Sequence, residues 1–396
     1  MISENLLPYA GLRILDLSQG IAGPYCAQIL WQQGADVIKV EPPSGDWGRF
    51  VGVVRGQHSA LSVQFNAGKR GVAIDAKSDA GKALLRSLAL QADIIVQNFR
   101  PGVVERMGLG YAELAEKKSN LVYVSISGYG PDGPYADAPA SDSVMQADSG
   151  LMITNQDESE KPRRIGMLMA DVVTGLYAAQ AASAALYQRL ARRVGSHIEV
   201  SLFEACASFQ GINFLEHAIA GKRPFGAVSA PNGVFPTADG QITVLALNNE
   251  QFRRVCQALN CSEWLDDPRF SDNANRMKHC DFLHAAIHQQ LTLQPTEFWL
   301  TRFSEHDVLH APVRNYDAVM AHPQALHLQM FGSLTQPELG TLPYLGIPAT
   351  PFRRSVHAAP RIGEHSVQVL LESGIDAAQV QQLLEAGVVC QASGLE

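Results

Sequence analysis

Short apolar runs alternate with helical patterns through the first third of the chain. The runs are rich in Val, Ile and Leu and end at Gly, Pro, Asp or Ser, which is typical of buried strands. This alternation predicts βαβ units and a mainly parallel sheet. Strands are predicted at 13–18, 35–41, 70–75, 92–96 and 121–127, and helices at 24–33, 79–89 and 101–107.

Two turn-rich stretches interrupt the pattern. Gly, Pro, Asp and Ser crowd residues 128–165, which are predicted as a long loop, and residues 221–240 have a similar composition. Between them, the sequence predicts a helix that opens at Asp171 and covers 172–188.

The C-terminal half predicts a smaller α/β domain. A strand at 241–247 precedes several helices, and five prolines between 331 and 362 predict an extended return segment. Two last helices, near 364–373 and 377–386, are expected to pack on the first domain. The predicted domains are therefore 1–220 (large), 221–330 (small) and 331–396 (return linker and C-terminal helices).

Composition narrows the class of protein. Only 18% of the 396 residues are charged, which predicts that much of the surface lies against another subunit. The net charge of −8 argues against general affinity for nucleic acid or anionic lipid. Six cysteines without a C-x-x-C, no secretory signal and no uniformly apolar span predict a cytoplasmic protein with reduced thiols.

Two familiar site patterns are incomplete. Gly20 and Gly23 follow the first strand, and Glu41 ends the second, as in a nicotinamide-binding fold, yet only G-x-x-G is present and a tight turn explains it equally. The pairs His284/His288 and His306/His310 have helical spacing, but no acidic ligand recurs with them, so no metal site is predicted.

Asp171 and a set of cations remain as candidates. Asp171 precedes an Ala-rich helix, where it is either an N-cap or a poorly hydrated carboxylate able to act as a nucleophile. Cations and an amide lie at the ends of predicted strands or just after them, and open α/β sheets bind phosphorylated ligands at the carboxyl ends of their strands. This set is Lys69, Arg70, Lys77, Asn98, Arg100 and Arg106.

Several segments, in order, resemble the class III coenzyme A transferases, which include formyl-CoA transferase and the carnitine-related CoA transferases. The resemblance covers nearly the whole chain. Its segments are GLRILDLSQGIAGPYCAQILWQQGADVIKVEPPSGD at 11–46, FNAGKRGVAIDAKSDAGKALL at 65–85, ADIIVQNFRPGVVERMGL at 92–109, VYVSISGYGPDGPYADAPASD at 122–142, ADVVTGLYAAQAASAALYQR at 170–189, PNGVFPTADGQITV at 231–244, DDPRFSDNANR at 266–276 and GEHS at 363–366.

The resemblance implies a fold and a site. The fold is a large Rossmann-like domain and a smaller α/β domain, joined by two linkers, with two chains interlocked as a homodimer. The implied nucleophile is Asp171, and coenzyme A is a substrate, so no cofactor is expected. The implied CoA-binding residues are Ile21, Ala22, Ile74, Lys77, Asn98, Phe99, Arg100, Arg106 and Asp142.

The implied reaction moves CoA from an acyl-CoA to a free carboxylic acid through a covalent aspartyl intermediate. Succinyl-CoA and small dicarboxylates are the expected substrates, with Arg163 or Arg164 as either a carboxylate ligand or an exposed linker residue. Pro42 replaces an Arg that some members place near the adenine. A glycine run is absent at 230–233, so oxalate and formate are less expected.

Three alternatives stay open. An α-methylacyl-CoA racemase shares the fold, but it needs a His where Ser141 stands. A nicotinamide-dependent dehydrogenase would use Gly20, Gly23 and Glu41. A catalytically dead CoA-binding protein would have no use for Asp171.

Overall fold

The structure, a computed structural model, describes residues 7–156, 161–221, 228–348 and 356–392. Its strands are short, and those near the N-terminus follow the buried apolar runs of the sequence. In chain order they are β1 (Arg13–Asp16), β2 (Asp36–Glu41), β3 (Val54–Arg55), β4 (His58–Ser59), β5 (Arg70–Ile74), β6 (Ile94–Gln97), β7 (Val122–Ser127), β8 (Ser196–Ser201), β9 (Asn232–Pro236), β10 (Gln241–Leu245), β11 (Leu309–Pro312), β12 (Phe331–Gln336), β13 (Gly340–Leu345) and β14 (Val389–Cys390).

Several helices begin where a short polar side chain accepts a hydrogen bond from a free backbone N–H. Ser59, Ser78, Ser201, Asn248 and Asp376 do this. In chain order the helices are α1 (Ala22–Gln32), α2 (Ala60–Asn66), α3 (Asp79–Gln91), α4 (Val103–Arg106), α5 (Tyr111–Lys117), α6 (Asp142–Asp148), α7 (Met169–Arg192), α8 (Leu202–Phe209), α9 (Gly211–Ala220), α10 (Asn249–Leu259), α11 (Asn273–Lys278), α12 (Cys280–Leu291), α13 (Thr296–Glu305), α14 (Tyr316–Met320), α15 (Pro323–His327), α16 (Ser366–Glu372) and α17 (Ala377–Glu385).

Within the described residues, seven strands form one sheet in the order β14-β5-β2-β1-β6-β7-β8. Its pairs are parallel except that β14 runs antiparallel to β5. In the register, Leu15 of β1 lies opposite Ile38 of β2 and Ile95 of β6. The predicted α/β class with a mainly parallel sheet is confirmed.

Helices cover both faces of the sheet, and alternate residues of each strand point to opposite faces. Ile14 packs in one core with Leu30 of α1 and Ala178 of α7. Leu15, its neighbour, packs in the other core with Leu85 of α3 and Leu370 of α16. No helix of the described ranges, α7 included, is both long and apolar enough to cross a membrane.

The chain divides into two compact units. One holds residues 1–221 and 329–396, and the other holds 222–328. In the second unit, β9, β10 and β11 form an antiparallel sheet in the order β11-β10-β9. Its core contains Phe252, Trp299 and Phe303.

Three local predictions were wrong. Residues 128–165 were predicted as loop, but they contain α6 and a short 3₁₀ helix at Leu151–Thr154, while 157–160 lie outside the described residues. The predicted linker 221–240 contains β9, and 222–227 also lie outside the described residues. The predicted extended segment forms a hairpin of β12 and β13, which pairs Phe331 with Leu345. Turn-rich composition therefore concealed short elements stabilised by pairing and packing.

Candidate functional site

A cavity of about 440 Å³ opens at the carboxyl ends of the parallel strands. The segments after β1, β6 and β7 surround it, together with the start of α7. Parallel strands end at the same edge of a sheet, so residues distant in sequence meet there. Asp171 lines this cavity with six of the predicted CoA-binding residues: Ile21, Ala22, Asn98, Phe99, Arg100 and Asp142.

Asp171 is not the N-cap of its helix. The helix α7 begins at Met169 with Leu168 as its N-cap, so Asp171 is the third helical residue. Its carboxyl group is partly buried, and this burial, with a smaller effect of the Asp142 charge, raises its pKa to about 7. A carboxylate that is poorly hydrated and holds its proton this tightly is a stronger nucleophile than an exposed one.

Asp142 performs the capping that Asp171 does not. It is the first residue of α6 and is buried. Its Oδ2 accepts a hydrogen bond from the Ala170 backbone N–H at 2.8 Å and a longer one from the Asp171 N–H at 3.4 Å. The Asp142 side chain therefore fixes the start of α7, in addition to lining the cavity.

The turn after β1 is shaped by close packing. Gly20 has φ +77, and a Cβ there would lie 2.0 Å from the Trp47 ring. Its N–H donates to both Asp46 carboxylate oxygens, at 2.9 and 3.1 Å. A Cβ at Gly23 would lie 2.2 Å from the Ser18 Cβ. These two glycines are therefore required by local packing of the turn.

Asn98 joins the turn after β6 to the segment after β1. Its Oδ1 accepts from the Gln19 N–H at 2.8 Å and its Nδ2 donates to the Gln19 carbonyl at 2.7 Å. Phe99 is held by its N–H, which donates to Gln97 at 2.8 Å. Arg100 is exposed at the cavity, and no ion pair or hydrogen bond of its side chain occurs among the described residues.

A second cavity, of about 490 Å³, adjoins the first, since Gln19 and Phe99 line both. The other three predicted CoA-binding residues, Ile74, Lys77 and Arg106, line this second cavity. Lys82 of α3 lines it too, and the sequence analysis missed this residue. Its position in the first turn of a helix that follows a strand could have identified it. All nine predicted residues thus lie at two adjoining cavities.

Comparison with known proteins gives the family of the chain. A family model described as CoA-transferase family III matches residues 9–366. The chain belongs to CoA-transferase family III. The resemblance inferred from the sequence motifs is confirmed, and the protein is an enzyme, a CoA-transferase.

This CoA-transferase has similar relatives along most of its length. Human succinyl-CoA:glutarate CoA-transferase is 34% identical, over 98% of this chain and 91% of the human protein. Acetyl-CoA:oxalate CoA-transferase of Acetobacter aceti is 34% identical, over 76% of this chain and 78% of that protein. A CaiB/BaiF family protein from Brucella suis has a crystal structure with TM-score 0.84 and 28% identity, covering 93% of this chain and 99% of that one.

In this CoA-transferase, Glu41 has a structural role, because its carboxylate is held by neighbouring residues. Arg49 donates to its two carboxylate oxygens at 2.7 and 2.6 Å, and the Asp46 N–H donates at 3.0 Å. Glu41 is 1% exposed. A carboxylate engaged in this way is poorly placed to bind a ribose, which removes the acid that the nicotinamide-dependent alternative requires.

Two of the predicted cations were assigned wrongly. Lys69 is buried, and its ammonium donates to Asp16 at 2.8 Å. Arg70 lies at the opposite, amino end of β5 and pairs with Asp36 and Glu372. The predicted strand at 70–75 already placed both at its amino end, away from the ligand edge, but the sequence did not show that a buried acid faces Lys69.

The two histidine pairs differ in the CoA-transferase, since only His284 and His288 share a helix, α12. His306 follows the end of α13 and His310 lies in β11, so they share no helix face. His284 contacts Cys280 and the ring of Phe235. Across the described part of the chain, no group of three or more His, Cys, Asp or Glu side chains could hold a metal ion.

Proposed function

We propose that this enzyme transfers CoA from an acyl-CoA thioester to a free carboxylic acid, with Asp171 as a covalent nucleophile. The observation that carries the proposal is the position of the Asp171 carboxylate, which lines a cavity joined to a second one rimmed by cations. The family and the relatives named as CoA-transferases support it.

Coenzyme A fits the two cavities by its charge. Lys77, Lys82 and Arg106 line the second cavity and would bind the phosphates. The uncharged pantetheine arm would pass Gln19 and Phe99, which line both cavities, and bring the thioester to Asp171. Pro42 also lines the second cavity, where it offers a flat apolar surface to the adenine.

The reaction proceeds in balanced steps. The Asp171 carboxylate attacks the donor thioester carbonyl; a C–O bond forms, the C–S bond breaks, and a mixed anhydride and CoA thiolate result. The thiolate attacks the Asp171 carbonyl and releases the donor acid, which leaves an aspartyl-CoA thioester. The acceptor carboxylate then attacks that thioester, and the same two steps run in reverse to give the new acyl-CoA and free Asp171.

These steps use only carboxylates and a thiolate, so we propose that no metal or redox cofactor takes part. Each addition creates an oxyanion, which backbone N–H groups held near the nucleophile stabilise. The start of α1 lies at the cavity, and its first backbone N–H groups are the candidates for this role.

Succinyl-CoA is the proposed donor and a small dicarboxylic acid the proposed acceptor. The support is the human relative, which is named for succinyl-CoA and glutarate. Arg164 is the candidate for the second carboxylate, since its Nη1 lies 3.4 Å from the Ser143 Oγ, and Ser143 lines the Asp171 cavity.

We further propose that two chains form an interlocked homodimer. The helix α9 has no buried residue within one chain, and Ile212, Leu215 and Ile219 on it are 74%, 64% and 85% exposed. Apolar surface of this kind requires cover in water. Light scattering should give twice the mass of one chain, and a monomer at micromolar concentration would contradict the dimer.

The racemase alternative is disfavoured by the site. A racemase needs an acid and a base on opposite faces of the substrate. Ser141 stands where that branch has a histidine, and no histidine of the described residues lines the Asp171 cavity. Asp142 cannot replace it, because its carboxylate is engaged by the backbone N–H of Ala170.

Borohydride trapping tests the proposed mechanism. Enzyme incubated with acyl-CoA and no acceptor should accumulate an aspartyl thioester, which borohydride reduces to leave homoserine at position 171. Inactivation should occur only with acyl-CoA present, and peptide mapping should place the mass change within 165–189. Modification elsewhere, or full resistance to borohydride, would overturn the covalent mechanism.

A further inference from the structure

Gln146 lies close to Asp142 and to the segment that leads into α7, and both polar atoms of its side-chain amide form hydrogen bonds. It is 0% exposed on α6, four residues after Asp142. Its Nε2 donates to the Asp142 Oδ1 at 2.7 Å and to the Met167 carbonyl at 3.1 Å. Its Oε1 accepts from the Ile165 N–H at 2.9 Å. One amide therefore connects Asp142 with the segment 165–167 that leads into α7.

The orientation of this amide is fixed by its neighbours. The Ile165 N–H can only donate, so it must face the amide oxygen, while the Met167 carbonyl can only accept, so it must face the amide nitrogen. The second hydrogen of that nitrogen then points at Asp142. No other rotation satisfies the three partners, and a buried unsatisfied group would cost about 1–3 kcal/mol.

Asp142 is consequently held from both of its oxygens. Gln146 binds Oδ1, and the Ala170 and Asp171 backbone N–H groups bind Oδ2. Without the amide, Oδ1 would be buried without a donor, and the carboxylate would be free to turn away from the start of α7.

We propose that Gln146 is a positioning residue for CoA transfer: its amide holds Asp142 and the segment 165–167 in the arrangement that presents Asp171 to the cavity. The inference rests on the proposed function, in which Asp171 is the nucleophile. Gln146 itself does not line the cavity, so it acts through Asp142 and the backbone.

Few charged or titratable groups surround Asp171 among the described residues. Asp142 faces it from α6, Arg100 lines the same cavity, and Cys206 of α8 lies near both acids, with its thiol pKa raised to about 11 by burial. Loss of the Gln146 donor leaves these groups in place. A negative charge introduced at position 146 would add to that of Asp142 and should raise the pKa of Asp171 further.

The test compares Gln146→Met with Gln210→Met in the full-length enzyme. Gln210 is also buried, and its Nε2 donates to the Cys206 and Ser149 carbonyls at 2.9 and 3.2 Å, so the control loses two buried hydrogen bonds where Gln146→Met loses three. Single-turnover formation of the Asp171 adduct from succinyl-CoA should slow about 10–100-fold in Gln146→Met, as for a displaced catalytic group. Its KM for succinyl-CoA should stay within about twofold of the wild-type value, and Gln210→Met should keep the wild-type rate.

Gln146→Glu provides a second variant if Gln146→Met does not fold. It keeps an acceptor for the Ile165 N–H but loses the donor to Asp142 and adds a like charge. The midpoint of its kcat profile should move to higher pH, and the Gln210→Met midpoint should not.

Each outcome decides the inference. Adduct formation at the wild-type rate in Gln146→Met, or equal slowing in Gln210→Met, would overturn it while the proposed function stands. A wild-type enzyme that forms no adduct would instead overturn the proposed function, and this inference with it.

Discussion

Charged residues form two contrasting regions at the carboxyl end of the sheet. Beneath the cavities, Lys69 pairs with Asp16, Lys39 with Asp46, and Arg49 with Glu41; each partner is at most 3% exposed at its side chain. At the cavities, Lys77, Arg100 and Arg106 are exposed, and no ion pair joins them to another described residue. The buried charges are paired with one another, whereas these three lining cations have no ion-pair partner in the described part of the chain.

The difference separates structural charges from those available to a ligand. Burial lowers the pKa of Lys69 to about 8, but the Asp16 carboxylate opposes this effect and keeps the ammonium charged at neutral pH. Such a pair is costly to break and offers nothing to solvent. The exposed cations at the cavities have no ion-pair partner among the described residues, which leaves them available to bind phosphate.

The largest expected effect comes from replacing Asp171, the carboxylate that lines the first cavity. Asp171→Asn keeps the size of the side chain but removes the nucleophile, so kcat should fall by roughly 10⁴-fold or more. Acyl-CoA binding, measured by calorimetry, should change little, which serves as the control for folding. Turnover above a tenth of the wild-type value would show that another group performs the attack.

The next largest effect is expected on the free energy of unfolding when Lys69, in the buried set of ion pairs, is replaced. Lys69→Met leaves Asp16 as a buried charge without its cation, and Lys69 also donates to the Pro24 carbonyl at 2.9 Å. The free energy of unfolding should fall by about 3–5 kcal/mol. Lys77→Met, the matched control at the cavity, should change it by less than about 0.5 kcal/mol. Equal urea midpoints for the two variants would remove the distinction between the regions.

The sequence predicted the site better than it predicted the charges beneath it. Alternating strands and helices located the sheet edge at which Asp171 lines one cavity and Arg106 lines the adjoining one, because chain order determines which segments leave that edge. The ion pair of Asp46 and Lys39 could not be predicted, since a buried pair between a strand and the segment after it leaves no periodic signal. The sequence also did not predict that Asp142 accepts the hydrogen bond at the start of α7, because Asp142 lies 28 residues before Ala170.

Arg106 and Lys77 should set the affinity for CoA. Replacing either by Ala should raise the KM for acyl-CoA about tenfold, which is about 1.4 kcal/mol, and leave kcat nearly unchanged. Lys82→Ala should have a smaller effect, because Lys82 also lies 3.6 Å from Asp79. Initial rates over a range of acyl-CoA concentrations measure both constants. A large fall in kcat at constant KM would place these cations at the reacting atoms.

The pH dependence of kcat should follow the ionisation of Asp171, which the charge of Asp142 influences. The nucleophile must be ionised, so kcat should rise with pH and reach half its plateau near pH 7, the pKa of Asp171. Asp142→Asn removes the neighbouring negative charge but not the burial, which has the larger effect. Its midpoint should therefore move to lower pH by less than about one unit. A midpoint that moves upward would mean that Asp142 favours the ionised form of Asp171.

A further effect is expected on the stability of the fold, through the ionisation of Asp171 itself. Burial raises its pKa from the ordinary value of 3.8 to about 7, so the folded protein holds this proton more tightly than the unfolded chain does. The stability that the protonated carboxyl contributes is full below pH 4 and is lost as the pH rises to 7. Asn cannot ionise, so Asp171→Asn should gain about 1–2 kcal/mol on the wild type between pH 4 and 8, allowing for solvent at a partly buried group. Urea midpoints at both pH values measure the gain, and the exposed replacement Asp137→Asn is its control. An N-cap at this position would instead make the Asn variant no more stable at pH 8 than at pH 4, relative to the wild type.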